Sequence, residues 1–332
     1  MSLLVTASRF ADAHPVLLAF DPQEKLAQPL INGILQGAVF GLVGLGLVLL
    51  YKSNKIFNFA QAEFGTIAGM TAFFGINGKL FGIPWHMPYV VAVIVGVVLG
   101  TLSAVLTERL VVRPLFHRPK VILVVGTVGV LLSMIAVENL VFPASGTAYL
   151  APFNDPKVGV AKGLTDPAFR VGFASFNVSW ENVLTLVVLV IMALAAVAFF
   201  RYSRQGTAIL AVSQEPTAAQ TVGISVSRVS LLTWTLAGFL GSVAGIVALA
   251  GAPLLVPGVV TGTALVGGIA AAVLGGITSL SGAFLGGMLI GLIQSFSAAN
   301  ITAFPGSQTV VVGLVLLLVL LVRPQGLLGS EA

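Results

Sequence analysis

The chain has 332 residues, of which 57% are hydrophobic and only 8% charged, with a mean hydropathy of +1.06. Soluble domains are closer to a quarter charged, so this composition excludes a soluble globule and describes a polytopic membrane protein. The net charge of +5 does not point to nucleic acid, because the bases lie in short stretches between apolar runs, and the lack of cysteine excludes disulfides, thiolate nucleophiles and cysteine metal sites.

A helix crosses a bilayer core of about 30 Å with about 20 apolar residues. Residues 1–28 carry Arg9, Asp12, His14, Asp21, Glu24 and Lys25. These interrupt any signal-peptide core, so no cleavage is expected, and Val16–Phe20 is expected to lie in the membrane interface. The first span is Pro29–Tyr51, followed by Lys52 and Lys55. A second runs from about Asn58 to Ile76, then a loop with Trp85 as an interfacial anchor, then a third at Pro88–Thr107. A basic loop from Glu108 to Lys120 leads to a fourth span, Val121–Phe142.

Residues 143–179 form the longest polar segment, and the alternation in Arg170–Ser179 suits a strand or hairpin. A fifth span, about Trp180–Phe200, precedes a polar island at Arg201–Arg228, and a sixth follows at Val229–Ala250. Thr261–Leu274 is apolar but short and glycine-rich, and reads either as a crossing or as a broken, re-entrant helix. Ser281–Ala299 and Thr309–Val322 complete the set. The expected fold is therefore an all-α membrane bundle of eight or nine helices with a short external hairpin-like segment. Ten of the sixteen basic residues fall on the side of the Arg201–Arg228 loop, which makes that side cytoplasmic and places the N-terminus and residues 143–179 outside. With nine crossings the C-terminus is cytoplasmic.

Within the polar island, Glu215 and Pro216 suit a first helical turn, Thr217–Val222 can form the helix, and Gly223 is placed to end it in a left-handed residue. A short helix held between two spans reads as a docking element; the plainer reading is a solvated connection. Asn32 and Gln36 share a face of the first span, Asn58, Gln61 and Glu63 open the second, and Glu138 and Asn139 sit near the outer end of the fourth. They are candidates for a translocation pathway or for fastening helices together. Beside Lys52 and Lys55, Asn58–Glu63 also reads as an interfacial helix start. Glycines recur four apart at Gly33/Gly37/Gly41, Gly65/Gly69, Gly96/Gly100, Gly241/Gly245, Gly282/Gly286 and Gly287/Gly291, where backbones can approach closely. No HExxH, G-x-S-x-G or P-loop pattern occurs, so no catalytic residue, cofactor or metal site is expected.

Several blocks resemble one family: Asn32–Leu47, Lys55–Gly65, Gln214–Ile224, Gly275–Ala283 and Val322–Leu327. In order and spacing they resemble the permease subunits of branched-chain amino acid ABC importers, of the LivH type. The resemblance implies a transport subunit of the bacterial inner membrane that does not hydrolyse ATP. It implies a LivM-like second permease or a second copy of this chain, two ATP-binding subunits and an external binding protein. It assigns the ATPase-coupling role to Glu215, Pro216, Thr217, Ala218, Ala219 and Gly223; where such importers often carry Glu-Ala-Ala-x-x-x-Gly, this chain has Thr217 in place of the acid. Related permeases move urea or short amides. A secondary transporter driven by an ion gradient is the alternative from another class; it needs an intramembrane carboxylate relay, for which Glu63 and Glu138 are the candidates. A third reading is a scaffolding subunit.

Overall fold

A first helix, α1 (Ala27–Asn54), is buried along almost its whole length and forms the axis of the molecule. The structure, a computed structural model, describes residues 27–77, 86–116, 118–142, 169–170, 177–178, 180–250, 255–301, 306–323 and 325–329. After α1 come a 3-10 turn (Phe59–Ala62), α2 (Glu63–Ile76), α3 (Tyr89–Thr107), continued by a π-helical turn to Val112, and α4 (Lys120–Val141). Two short strands, β1 (Phe169–Arg170) and β2 (Asn177–Val178), pair antiparallel. Then follow α5 (Trp180–Tyr202), α6 (Arg204–Gln214), α7 (Pro216–Thr221) and α8 (Val226–Ala250). A π-helical turn (Thr261–Leu265) opens α9 (Val266–Gly275), and α10 (Leu280–Asn300) and α11 (Ser307–Val322) end the bundle. Among the described residues six helices are long and apolar enough to cross a membrane; α2, the Thr261–Gly275 helix and α11 are shorter. The expected Val16–Phe20 piece, the Trp85 anchor and most of residues 143–179 lie outside the described residues.

Small residues set the packing. In lipid there is no hydrophobic gain from bringing helices together, so contact depends on close approach of backbones. Gly33, Gly37 and Gly41 of α1 lie against Leu292, Met288 and Phe284 of α10, with Gly287 and Gly291 opposite. Gly65 of α2 meets Gly241 and Gly245 of α8, and Gly96 and Gly100 of α3 meet Ala68 and Phe64 of α2. Gly282 and Gly286 of α10 meet Gly275 of α9. Each glycine spacing noted in the sequence thus lies at a helix contact. The outer faces of α4 and α5 carry exposed apolar residues, among them Val125, Leu132, Leu140, Ile191 and Leu194.

Two sequence blocks far apart in the chain meet at the end of α9. Leu327 and Leu328 N–H groups donate to the carbonyls of Leu274 and Gly275 at 2.7 and 3.1 Å. The last segment therefore returns to the α9–α10 turn. Leu280, which opens α10, packs into the same apolar cluster as Ile209, Val212 and Ala219.

Candidate functional site: a short capped helix and a buried polar cluster

The Arg201–Arg228 stretch is mostly helix. Besides the expected α7 it contains α6, a full three-turn helix that sequence reading left within the polar island. Ser203 caps α6 by accepting from Gly206 N–H at 2.8 Å, and Gly206, Ile209, Val212 and Ser213 form its buried face. That spacing is amphipathic and was available in the sequence; the polar outer face masked it.

α7 forms between Glu215 and Gly223. The Glu215 carboxylate accepts from Thr217 N–H at 3.3 Å, and Pro216 fills the first helical position, where no N–H is needed. Gly223 has φ +85°. Its N–H donates to the Gln220 carbonyl and that of Ile224 to the Ala219 carbonyl, both at 3.0 Å. These two bonds form a Schellman motif, which requires a left-handed residue at Gly223 and brings Ile224 over Ala219. Ala219 is 4% exposed and anchors α7 to the chain's own core, beside Ile209, Val212 and Trp234. Thr217, Ala218, Gln220, Thr221 and Val222 face outward, Val222 being 75% exposed.

Between α7 and the turn after α3 lies a cleft of about 720 Å³ lined by Glu108, Arg113, Phe116, Pro216, Gln220 and Ile224. On its wall Glu108 is buried and pairs with Arg113: Nη2 lies 3.2 Å from Oε2, and Nε donates to Oε1 at 3.3 Å.

The polar candidates of the first spans separate into two groups. Asn32 and Asn139 are exposed, Asn32 accepting from Gln28 and Asn139 donating to the Ile135 carbonyl of its own helix; Gln36 is half-buried. Asn58, Gln61 and Glu63 are fully buried inside the protein. The cause is Lys55. It adopts φ +56° and its N–H donates to the Tyr51 carbonyl at 2.8 Å, so α1 ends in a left-handed cap and the chain turns back into the protein. Asn58 then caps the 3-10 turn by accepting from Ala60 N–H at 3.0 Å and donates to Gln61 Oε1 at 3.4 Å. Gln61 donates across to the Ala237 carbonyl of α8 at 2.8 Å. Its amide lies against Gly46 of α1 and Gly241 of α8, where any side chain would displace it. Asn58 and Gln61 thus fasten the turn to α8.

Glu63 and Glu138, placed near span ends by the sequence, are both buried and their carboxyls meet. Gly258 N–H donates to Glu138 Oε2 at 3.2 Å, and φ +74° at Gly258 turns the chain toward both acids. The sequence separation conceals this contact. Gly258 lies in a stretch with no polar side chain to mark it.

The described residues form a helical bundle in which six helices are long and apolar enough to cross a membrane, which defines a polytopic membrane protein. The chain belongs to the branched-chain amino acid transport system / permease component family, whose model matches residues 30–320. It is a permease, not an enzyme. It is similar to the high-affinity branched-chain amino acid transport system permease protein LivH of Salmonella typhimurium, 28% identical over 310 residues, covering 91% of this chain and 95% of that one. It is also similar to the permease protein BraD of the corresponding system of Pseudomonas aeruginosa, 28% identical over 311 residues with the same shares covered. The xylose/arabinose import permease protein XylH of Sulfolobus acidocaldarius is 29% identical over 271 residues, 76% of this chain and 73% of that one.

Proposed function

We propose that the chain is the transmembrane permease subunit of an ATP-driven importer of branched-chain or other hydrophobic amino acids. It forms half of the translocation pore and docks to a separate ATPase through α7. The observation that carries this reading is α7 itself: six residues, capped at both ends, anchored by Ala219 and presenting Val222 at 75% exposure. A connecting loop needs none of these features. A rigid short helix with an apolar knob fits a partner's groove and can pass the partner's movement to the spans. Ala219, whose side chain points inward, serves as the anchor; Ala218 and Val222 are the contact residues.

The partners in this reading are a LivM-like permease or a second copy of the chain, two ATP-binding subunits and an external binding protein. The side assignments of the sequence reading go with it. Three contacts support a crossing by residues 255–280. Leu123 near the start of α4 lies in the apolar cluster of Ala219, Glu138 at its far end accepts from Gly258 N–H, and Leu280 packs against the Ala219 cluster as well as the central one. Leu327 beside Leu274 supports a C-terminal segment on the α7 side, the cytoplasmic one in this reading. The segment between α4 and α5 is then external.

Co-purification from native membranes tests the docking. An ATP-binding subunit is expected with the wild type and not with Val222→Arg, while the variant stays monodisperse. Absence of an ATPase from the wild type, or its full retention by Val222→Arg, overturns the reading. Competition in an uptake assay tests the substrate class: leucine is expected to compete, and urea and xylose not to. The sugar named for one relative makes that control necessary.

A further inference from the structure

We propose that Glu63 and Glu138 form a proton-binding site inside the bundle, in which one proton is held between the two carboxyls and clasps the start of α2 to the end of α4.

Both side chains are buried, at 0% and 1% exposure, and they meet each other. As two carboxylates they could only repel. Both oxygens of Glu63 and Oε1 of Glu138 would then lie buried with no donor among the described residues. An unpaired buried charge is among the most costly arrangements a protein can hold. A single proton removes the conflict: one carboxyl donates to the other, and the charge that remains rests on an oxygen with a donor. Gly258 N–H supplies a donor of this kind to Glu138 Oε2.

No fixed cation can take the proton's place. Among the described residues the single ion pair is Glu108–Arg113, just beyond α3, where Glu108 already has its cation. On the elements packed around the acids, the basic residues are Lys52 at the end of α1, Lys55 just beyond it and exposed with its ammonium over the Tyr51 ring, Arg109 and Arg113 beyond α3, Lys120 in the first turn of α4 and Arg228 in the first turn of α8. Lys120 is eighteen residues from Glu138, about 27 Å along the helix. A metal ion fits poorly too. The Gly258 N–H is directed at the oxygen an ion would need, and no third ligating side chain joins the pair among the described residues. A Cβ at Gly258 would lie 3.2 Å from Ile135 Cδ1 and 3.7 Å from Glu63 Oε1, so the turn is packed against both.

The clasp joins three pieces: the start of α2, the end of α4, and the turn that leads into the π-helical start of α9. Parting them separates the carboxyls, and the proton must stay with one or leave. Any motion of α4 against α2 is therefore a proton-handling step. The assignment depends on the buried geometry and not on the transported solute.

Infrared spectra of the purified chain in H2O and D2O at neutral pH test this, without ATPase or substrate. The wild type is expected to show the carbonyl stretch of one protonated carboxyl, shifted in D2O. That band is expected to vanish in Glu63→Gln and in Glu138→Gln, since the amide donates in the proton's place and leaves the remaining carboxylate ionised. Glu108→Gln is expected to keep it. No such band in the wild type overturns the proposal, and so does a band that survives in both glutamine variants. If either variant fails to fold, the wild-type spectrum still decides.

Discussion

Gly37→Ala puts the glycine packing to a quantitative test. A methyl group at Gly37 would lie 2.8 Å from Met288 Cα and 2.9 Å from the carbonyl oxygens of Gly287 and Met288. Carbon atoms rest about 3.5–4.0 Å apart, so α1 and α10 must separate by about 1 Å. The obstructing atoms are backbone, and no rotamer change absorbs the clash. The separation also loosens the contacts on either side, where Gly33 faces Leu292 and Gly41 faces Phe284. Overpacking of this kind costs about 1–3 kcal/mol, and the better helix propensity of alanine returns up to about 1 kcal/mol. A net loss of about 1–2 kcal/mol corresponds to a fall in unfolding midpoint of roughly 1–3 °C for a chain of this size. The assay is the monodisperse fraction that survives heating in detergent. Gly129→Ala and Gly313→Ala are the controls, because nothing lies within 4 Å of a Cβ at either position. They are expected to match the wild type or exceed it by up to about 1 kcal/mol. If Gly37→Ala is as stable as Gly129→Ala, close backbone approach does not set the α1–α10 contact.

Three further outcomes follow from particular contacts. Gln61→Leu removes the 2.8 Å bond to the Ala237 carbonyl and leaves Asn58 Nδ2 without an acceptor; the expected loss is about 1–3 kcal/mol in the same heating assay, and unchanged stability would mean the amide fastens nothing. Gly223→Ala meets no atom within 4 Å, so its cost is backbone strain alone, about 1–2 kcal/mol; hydrogen exchange at Gln220–Ile224 is expected to quicken while the rest of the chain is unchanged, and unaltered exchange there would refute the left-handed cap. Arg113→Gln leaves Glu108, 1% exposed, without its cation; because Arg113 is 42% exposed and screened by water, the expected loss is about 1–3 kcal/mol, and Glu108→Gln added to it is expected to restore stability.

What was readable in the sequence follows from how local each signal is. The α7 helix was legible end to end, because its caps are chemistry of adjacent residues: a carboxylate, a proline and a glycine within nine positions. Span positions were legible from hydropathy, and the glycine spacings marked helix contacts without naming the partner helix. The pairing of Gly37 with Met288 needs the fold, since any small residue offers the same face. The burial of Asn58–Glu63 was not legible. Lys52 and Lys55 just before it signal the interface, but a left-handed Lys55 turns the chain back into the protein, and that choice is invisible in composition. Glu63 and Glu138 are 75 positions apart, each unremarkable on its own span, and only tertiary packing makes them one site.

The two sites are connected by packed side chains. Ala219 anchors α7 in a cluster with Ile209, Val212, Trp234 and Ala237. The Ala237 carbonyl accepts the Gln61 amide, and two residues on is Glu63, in contact with Glu138. Displacement of α7 thus bears on α8, and α8 holds the turn that positions the buried acid. Contiguity alone does not establish coupling; that requires an element with two arrangements that both ends bias. In the proposal above the Glu63–Glu138 clasp is such an element, its carboxyls either sharing a proton or parting. A partner bound at Val222 and a proton in the clasp should then be thermodynamically linked, each altering the other's equilibrium by the same factor. The Gln61 amide is the bond through which that linkage passes, so its loss should uncouple the two ends while leaving each intact.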